Sequence, residues 1–133
     1  MPIIHATVNQ LDDSSSQGNA RGHSLTMDRP EPKGGQDKGP IGGEALLLGL
    51  GGCFMSNLLA AAKAREIEIN DASLAIAGEL ADAPPRYVAI TMQLRAKCNP
   101  PEELRKLSVI AERGCIVANT LGKAVELTID CPD

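Results

Sequence analysis

The sequence predicts an α+β domain over residues 1–133, and three features carry that reading. A long apolar run from Glu44 to Arg65, poor in β-branched residues, reads as a helix. Period-two alternation on either side of Asp82-Ala83-Pro84-Pro85 reads as an antiparallel hairpin. A shorter amphipathic stretch after Asn99-Pro100-Pro101 returns to helical spacing, so the expected order is β-β-α-β-β-α-α-β, with the long helix packed on antiparallel sheet.

Each element has a local reason. Ile3 to Val8 is β-prone, Leu11 to Gly22 is rich in Asp, Ser, Gln, Gly and Asn and reads as a turn or mobile loop, and His23 to Asp28 is the returning strand. Arg29 to Gly43 holds three prolines and five glycines, which excludes a regular element. Glu44 to Arg65 is apolar on every side until Lys63 and Arg65 supply cations for a helix C-terminus. Its apolar part approaches the roughly 20 residues that cross a bilayer, but Ser56, Asn57 and several glycines favour a helix buried in protein. A domain of this size can hardly surround such a helix alone, so a second subunit is expected to complete its burial.

Leu74, Ile76 and Gly78 share one face of the first hairpin strand, and Val88, Ile90, Met92 and Leu94 one face of the second. Asn99 reads as the N-cap of the next helix, with Glu102 at N3 of a capping box and Leu104, Leu107 and Ala111 as the inner stripe. Gly114 ends that helix, Cys115 to Leu121 forms a short one, and Lys123 to Asp130 closes the chain as a strand with Val125, Leu127 and Ile129 on one face.

Composition narrows the function. The net charge of −4 and the presence of only Phe54 and Tyr87 as aromatics leave neither a basic footprint nor stacking platforms, which argues against nucleic-acid binding. The start, Met1-Pro2-Ile3-Ile4-His5, has no basic and apolar leader pattern, so the expected compartment is the cytoplasm and a functional disulfide there is transient. Cys53, Cys98, Cys115 and Cys131 form no C-x-x-C motif, and His5 and His23 lie at no metal-ligand spacing, so no metal or other cofactor is expected. Cys53 stands out, set between paired glycines and a Ser-Asn step in Gly51-Gly52-Cys53-Phe54-Met55-Ser56-Asn57. As a solitary thiol it reads equally as a packed small hydrophobe. Cys98 and Cys131, near element ends, read as incidental.

Three blocks carry a resemblance: Gly34-Gly35-Gln36-Asp37-Lys38-Gly39-Pro40, Glu44-Ala45-Leu46-Leu47-Leu48-Gly49-Leu50-Gly51-Gly52-Cys53, and Glu112-Arg113-Gly114-Cys115-Ile116-Val117-Ala118-Asn119-Thr120-Leu121. With them the chain resembles the OsmC/Ohr family of osmotically inducible and organic-hydroperoxide-resistance proteins, in its OsmC-like branch. The resemblance implies an intertwined homodimer with central helices in its middle and two thiol sites near the interface. It also implies a peroxidase in which Cys53 attacks an organic hydroperoxide and Cys115 resolves the sulfenic acid as a disulfide, later reduced by an external dithiol. Such a bond needs the two Cα atoms about 4 to 7 Å apart.

In the hydroperoxide-resistance branch a glutamate and an N-terminal arginine accompany the cysteine. Glu44 is the candidate glutamate, although that branch places it one residue earlier, where Gly43 stands; its other role is to favour the positive helix end. Arg21 is the first candidate arginine and Arg29 the second, each with a solvated-loop reading beside it. A thiol in apolar surroundings is expected to have a raised pKa and to need such a cation, whereas Cys115 at a helix start is expected to be lowered by free N–H groups. The rival function is an OsmC-like dimer that binds a small molecule in its interface cleft without turning over peroxide.

Overall fold

The computed structural model describes residues 1–132, and the chain divides into two compact units, Met1–Leu46 and a second from Leu47 onward. The first unit holds an antiparallel meander of β1 (Thr7–Gln10), β2 (Ser16–Ala20) and β3 (His23–Met27). The order is therefore β-β-β-α-β-β-α-α-β, one strand more than the sequence predicts: β2 occupies part of the stretch expected to be loop. Its residues, Ser-Gln-Gly-Asn-Ala, have low β propensity, and pairing on both sides overrides it, with Gln17 opposite Asn9 and Thr26. The turn before β2 shrinks because Asp12 Oδ1 accepts the N–H groups of Ser14 and Ser15 at 3.0 and 2.8 Å while Oδ2 meets Lys38 Nζ at 2.6 Å. Residues 3–6, expected in the first strand, lie outside it.

The loop after β3 contains a single 3-10 turn over Glu31–Lys33. Buried Asp28 holds it together, its carboxylate accepting from the N–H groups of Arg29, Gln36 and Lys38.

Helix α1 (Gly42–Ala64) matches the expected long helix. Leu50, Phe54, Leu58 and Ala61 make its buried stripe, at a spacing that returns to one face every turn. It ends in a Schellman motif: Ile67 N–H reaches Ala62 O at 2.9 Å, Glu66 N–H reaches Lys63 O at 3.2 Å, and Glu66 takes the left-handed conformation at φ 55°. The helix is long and apolar enough to cross a membrane by length and composition, and 33% of its most apolar window is buried within the chain.

In the second unit, β4 (Glu68–Asp82) and β5 (Pro85–Asn99) form the antiparallel hairpin, with Ile76 opposite Met92 and Leu74 opposite Leu94. The last strand, β6 (Glu126–Asp130), pairs parallel to β5 after the crossover through α2 (Glu103–Gly114) and α3 (Ile116–Leu121). Ile90, Met92 and Leu94 from β5 join the α1 stripe and Leu104, Leu107 and Ala111 of α2 in one core. The capping box at Asn99 does not form. Asn99 is the last residue of β5, and α2 begins after Glu102, whose side chain caps nothing, because the Pro100 and Pro101 carbonyls already take the N–H groups of Glu103 and Leu104.

Candidate functional site

The site begins with a close approach that glycine permits. A Cβ on Gly51 would lie 2.6 Å from Ile76 Cδ1, so its absence lets β4 press on α1 just before Cys53. Cys53 is half-buried on α1, and Cys115 is fully buried as the N-cap of α3. The two thiols influence each other, the Cys115 thiol favouring a Cys53 thiolate and Cys53 raising the Cys115 pKa.

Helix α3 supplies the rest of the site. A helix begins with N–H groups that have no partner within it, and here the Cys115 sulfur takes one of them. Ala118 N–H donates to Cys115 Sγ at 3.4 Å. The backbone N–H groups of Val117 and Ile116 favour a Cys53 thiolate, and that of Val117 also favours a Cys115 thiolate. Asn119 N–H then bonds to Cys115 O at 2.9 Å, closing the first turn.

The electrostatics follow, and they reverse the expectation. Burial works against a Cys53 thiolate, but the Val117 N–H, the Cys115 thiol and the Ile116 N–H together outweigh it and hold the Cys53 pKa below the ordinary thiol value. Burial pushes Cys115 up; the Ala118 N–H opposes this, and the adjoining Cys53 sulfur adds to it. The sequence assigns the helix-start donors to Cys115 and a cation to Cys53. Instead the Val117 and Ile116 N–H groups lower Cys53, while burial and the Cys53 sulfur raise Cys115 despite its Ala118 donor. An acidic thiol beside a protonated one can perform nucleophilic attack followed by resolution.

Glu44 lies at the start of α1. Ile41 O accepts the first helical bond, from Ala45 N–H at 2.9 Å, and Glu44 Oε1 accepts the Ile41 N–H at 2.9 Å, so the carboxylate forms one arm of a capping box. Glu44 also lines a cavity of about 580 Å3 in the first unit, with Ser14, Asp28, Arg29, Lys33 and Asp37. Arg21 is exposed in the two-residue turn between β2 and β3, where Arg21 and Gly22 have φ of 50° and 81°.

Cys98 donates its S–H to Pro100 O at 3.4 Å, and burial followed by the nearby Glu103 carboxylate pushes its pKa up. It shares a cavity of about 410 Å3 with Cys131. No cluster of three or more metal-binding side chains occurs among the described residues. The sequence reading missed the Ile116 and Val117 N–H groups and the Asn57 amide, which donates to Cys53 O at 3.2 Å. The helix start at Cys115 was visible in the sequence, but which sulfur its donors reach is a tertiary fact.

Comparison with known proteins adds the family. The model of the family described as OsmC-like protein matches residues 35–130. No curated protein sequence matches the chain. Among solved structures, an OsmC-like protein from Mycoplasma pneumoniae is similar at a TM-score of 0.84 with 22% identity, covering 98% of this chain and 96% of that one. A hypothetical protein from Aquifex aeolicus is similar at a TM-score of 0.82 with 17% identity, covering 99% and 96%. An organic hydroperoxide resistance protein, OsmC, from Legionella pneumophila is similar at a TM-score of 0.74 with 17% identity, covering 100% and 98%. At these identities the likeness establishes the fold.

Proposed function

Because the chain belongs to the OsmC-like protein family, we propose that it is a cysteine-based peroxidase that reduces organic hydroperoxides, with hydrogen peroxide as a further substrate. The observation that carries this reading is the thiol pair itself, with the Cys53 pKa below and the Cys115 pKa above the ordinary thiol value. Similar structures described as organic hydroperoxide resistance proteins support the same chemistry.

In the proposed cycle the Cys53 thiolate attacks the terminal oxygen of R-O-O-H. The O–O bond breaks, an S–O bond forms, and the departing alkoxide takes the Cys115 proton to become R-OH. The new Cys115 thiolate then attacks the sulfur of the Cys53 sulfenic acid, forming the disulfide and releasing hydroxide. An external dithiol reduces the disulfide and is itself oxidised. The working form is a cytoplasmic homodimer.

Glu44 stays a candidate catalytic residue in this proposal, beside its bond to Ile41 N–H. Glu44→Gln retains the capping acceptor and removes the charge, so lost turnover in a folded variant assigns the carboxylate to catalysis, and unchanged turnover leaves it as a cap. Arg21 and Arg29 are the candidate activating cations, to be compared as alanine variants. The same engagement of Glu44 as a cap favours the second reading, an OsmC-like dimer that binds a small molecule without peroxide turnover.

Consumption of cumene hydroperoxide with dithiothreitol or dihydrolipoamide, measured for the parent chain and for Cys53→Ser, separates the two readings. Turnover that disappears in Cys53→Ser is the expected result. A parent chain no faster than Cys53→Ser would leave the binding-protein reading.

A further inference from the structure

We propose that Asn57 is a positioning residue for the thiol pair, a strut that sets the spacing between Cys53 on α1 and the Gly114–Cys115 junction before α3; the inference rests on the pairing of those two thiols proposed above. Asn57 lies one helical turn beyond Cys53 and is half-buried. Its Nδ2 donates to Cys53 O at 3.2 Å, which ties the amide to the α1 backbone at the attacking cysteine. The head of the same amide faces Gly114: a Cβ built there would be 3.6 Å from Asn57 Oδ1, 3.7 Å from Cγ and 3.9 Å from Nδ2.

Gly114 immediately precedes Cys115, and the next two N–H groups, of Ile116 and Val117, favour the Cys53 thiolate. One short polar side chain therefore bonds the α1 backbone at Cys53 and faces Gly114, the residue before Cys115. Its residue type fits that task. Leu58 and Ala61 on the same helix already supply buried apolar surface, whereas a planar amide bonded at one end to its own helix has few ways to turn and presents a fixed width to the glycine. A change in spacing at this point moves the α3 donors relative to the Cys53 sulfur, and with them both the acidity of Cys53 and the ease of disulfide closure.

The test uses the full chain carrying Cys98→Ser and Cys131→Ser, so that only the paired thiols remain, and compares it with the same chain carrying Asn57→Ala. Two quantities are read without peroxide: the pH dependence of Cys53 alkylation by iodoacetamide, and the equilibrium between the Cys53–Cys115 disulfide and dithiothreitol. The alkylation midpoint should move upward, and the equilibrium constant for the disulfide should fall by about 10- to 100-fold, the scale associated with misplacing reacting groups by up to about 1 Å. A folded Asn57→Ala protein with both quantities unchanged overturns the proposal. Should that variant not fold, Asn57→Ser retains a donor for the Cys53 carbonyl without reaching Gly114, and the same two outcomes apply. A parent chain that forms no Cys53–Cys115 disulfide overturns this inference together with the pairing. One that forms the disulfide but consumes no hydroperoxide overturns the peroxidase reading alone.

Discussion

Cys53 and Cys115 both face the start of α3, and their acidities move in opposite directions: backbone N–H groups and the Cys115 thiol outweigh burial at Cys53, whereas burial and the Cys53 sulfur prevail at Cys115. The ordinary thiol lies near about 8.5. Alkylation of Cys53 should therefore have a pH midpoint below that of an unstructured thiol, and Cys115 one above it, as read by mass spectrometry of the two peptides. The consequence for stability has a definite sign. Cys53, depressed in the folded state, contributes stability that is present above the unfolded thiol pKa and lost as pH falls through its folded value. Cys115, raised in the folded state, contributes stability that is present below the unfolded thiol pKa and lost as pH rises through its folded value. Cys53→Ser should thus lose stability relative to the parent on the alkaline side and match it more closely at neutral pH, in thermal melts from about pH 6 to about pH 10. The same relative stability across that range would remove the donors from the account. The sequence made both cysteines visible, through the paired glycines before one and the helix start at the other. It could not tell which sulfur would receive the N–H groups, because those donors and their acceptor lie 63 and 64 residues apart in the chain.

Elements were legible where periodicity was strong and capping chemistry was local. Helix α1 and the β4–β5 hairpin follow their patterns closely, since 23 residues of helix and two strands of 15 give the period many repeats. The errors fall where a few residues decide. Strand β2 is polar and glycine-containing, and only its two neighbours make it a strand. At α2 the Asn99 to Glu102 pattern has the letters of a capping box, but Asn99 remains paired with Glu68 in the sheet and the prolines provide the first turn. The Schellman end of α1 went unread because Glu66 stands where glycine is usual. Holding an L-residue in the left-handed conformation costs about 1 to 2 kcal/mol. Glycine returns about 0.5 to 1 kcal/mol of that as unfolded-state entropy. Glu66→Gly should accordingly stabilise the protein by roughly 0.5 to 1 kcal/mol, seen as a higher denaturant midpoint at unchanged slope, and a lower midpoint would contradict the motif. At the core stripe the effect runs the other way. Phe54 is fully buried, and Phe54→Ala should cost about 3 to 5 kcal/mol. A loss under about 1 kcal/mol would mean that α1 is not packed as described.

At the scale of the whole molecule, the low aromatic content leaves burial to aliphatic side chains, and α1 has more of these than its own chain covers. Leu46, Leu48 and Leu59 remain 41%, 59% and 46% exposed on one helix, although an amphipathic surface helix would place polar residues there. Leu48 and Leu59 share one side of the helix, and exposed apolar side chains placed together in this way mark an interface. A second copy is the occupant proposed for it. Light scattering at low micromolar concentration should therefore give twice the chain mass, and the thermal midpoint should fall on dilution, because folding is then linked to association by mass action. Leu48→Glu and Leu59→Glu place a charge on that face without touching the buried stripe. Each should shift the population toward monomer and lower the thermal midpoint, with a larger drop at lower protein concentration. If both variants stay dimeric with unchanged midpoints, the interface lies elsewhere. If the parent chain itself is a well-folded monomer whose midpoint ignores dilution, α1 tolerates its exposed leucines in water and the dimer is not part of how this protein folds.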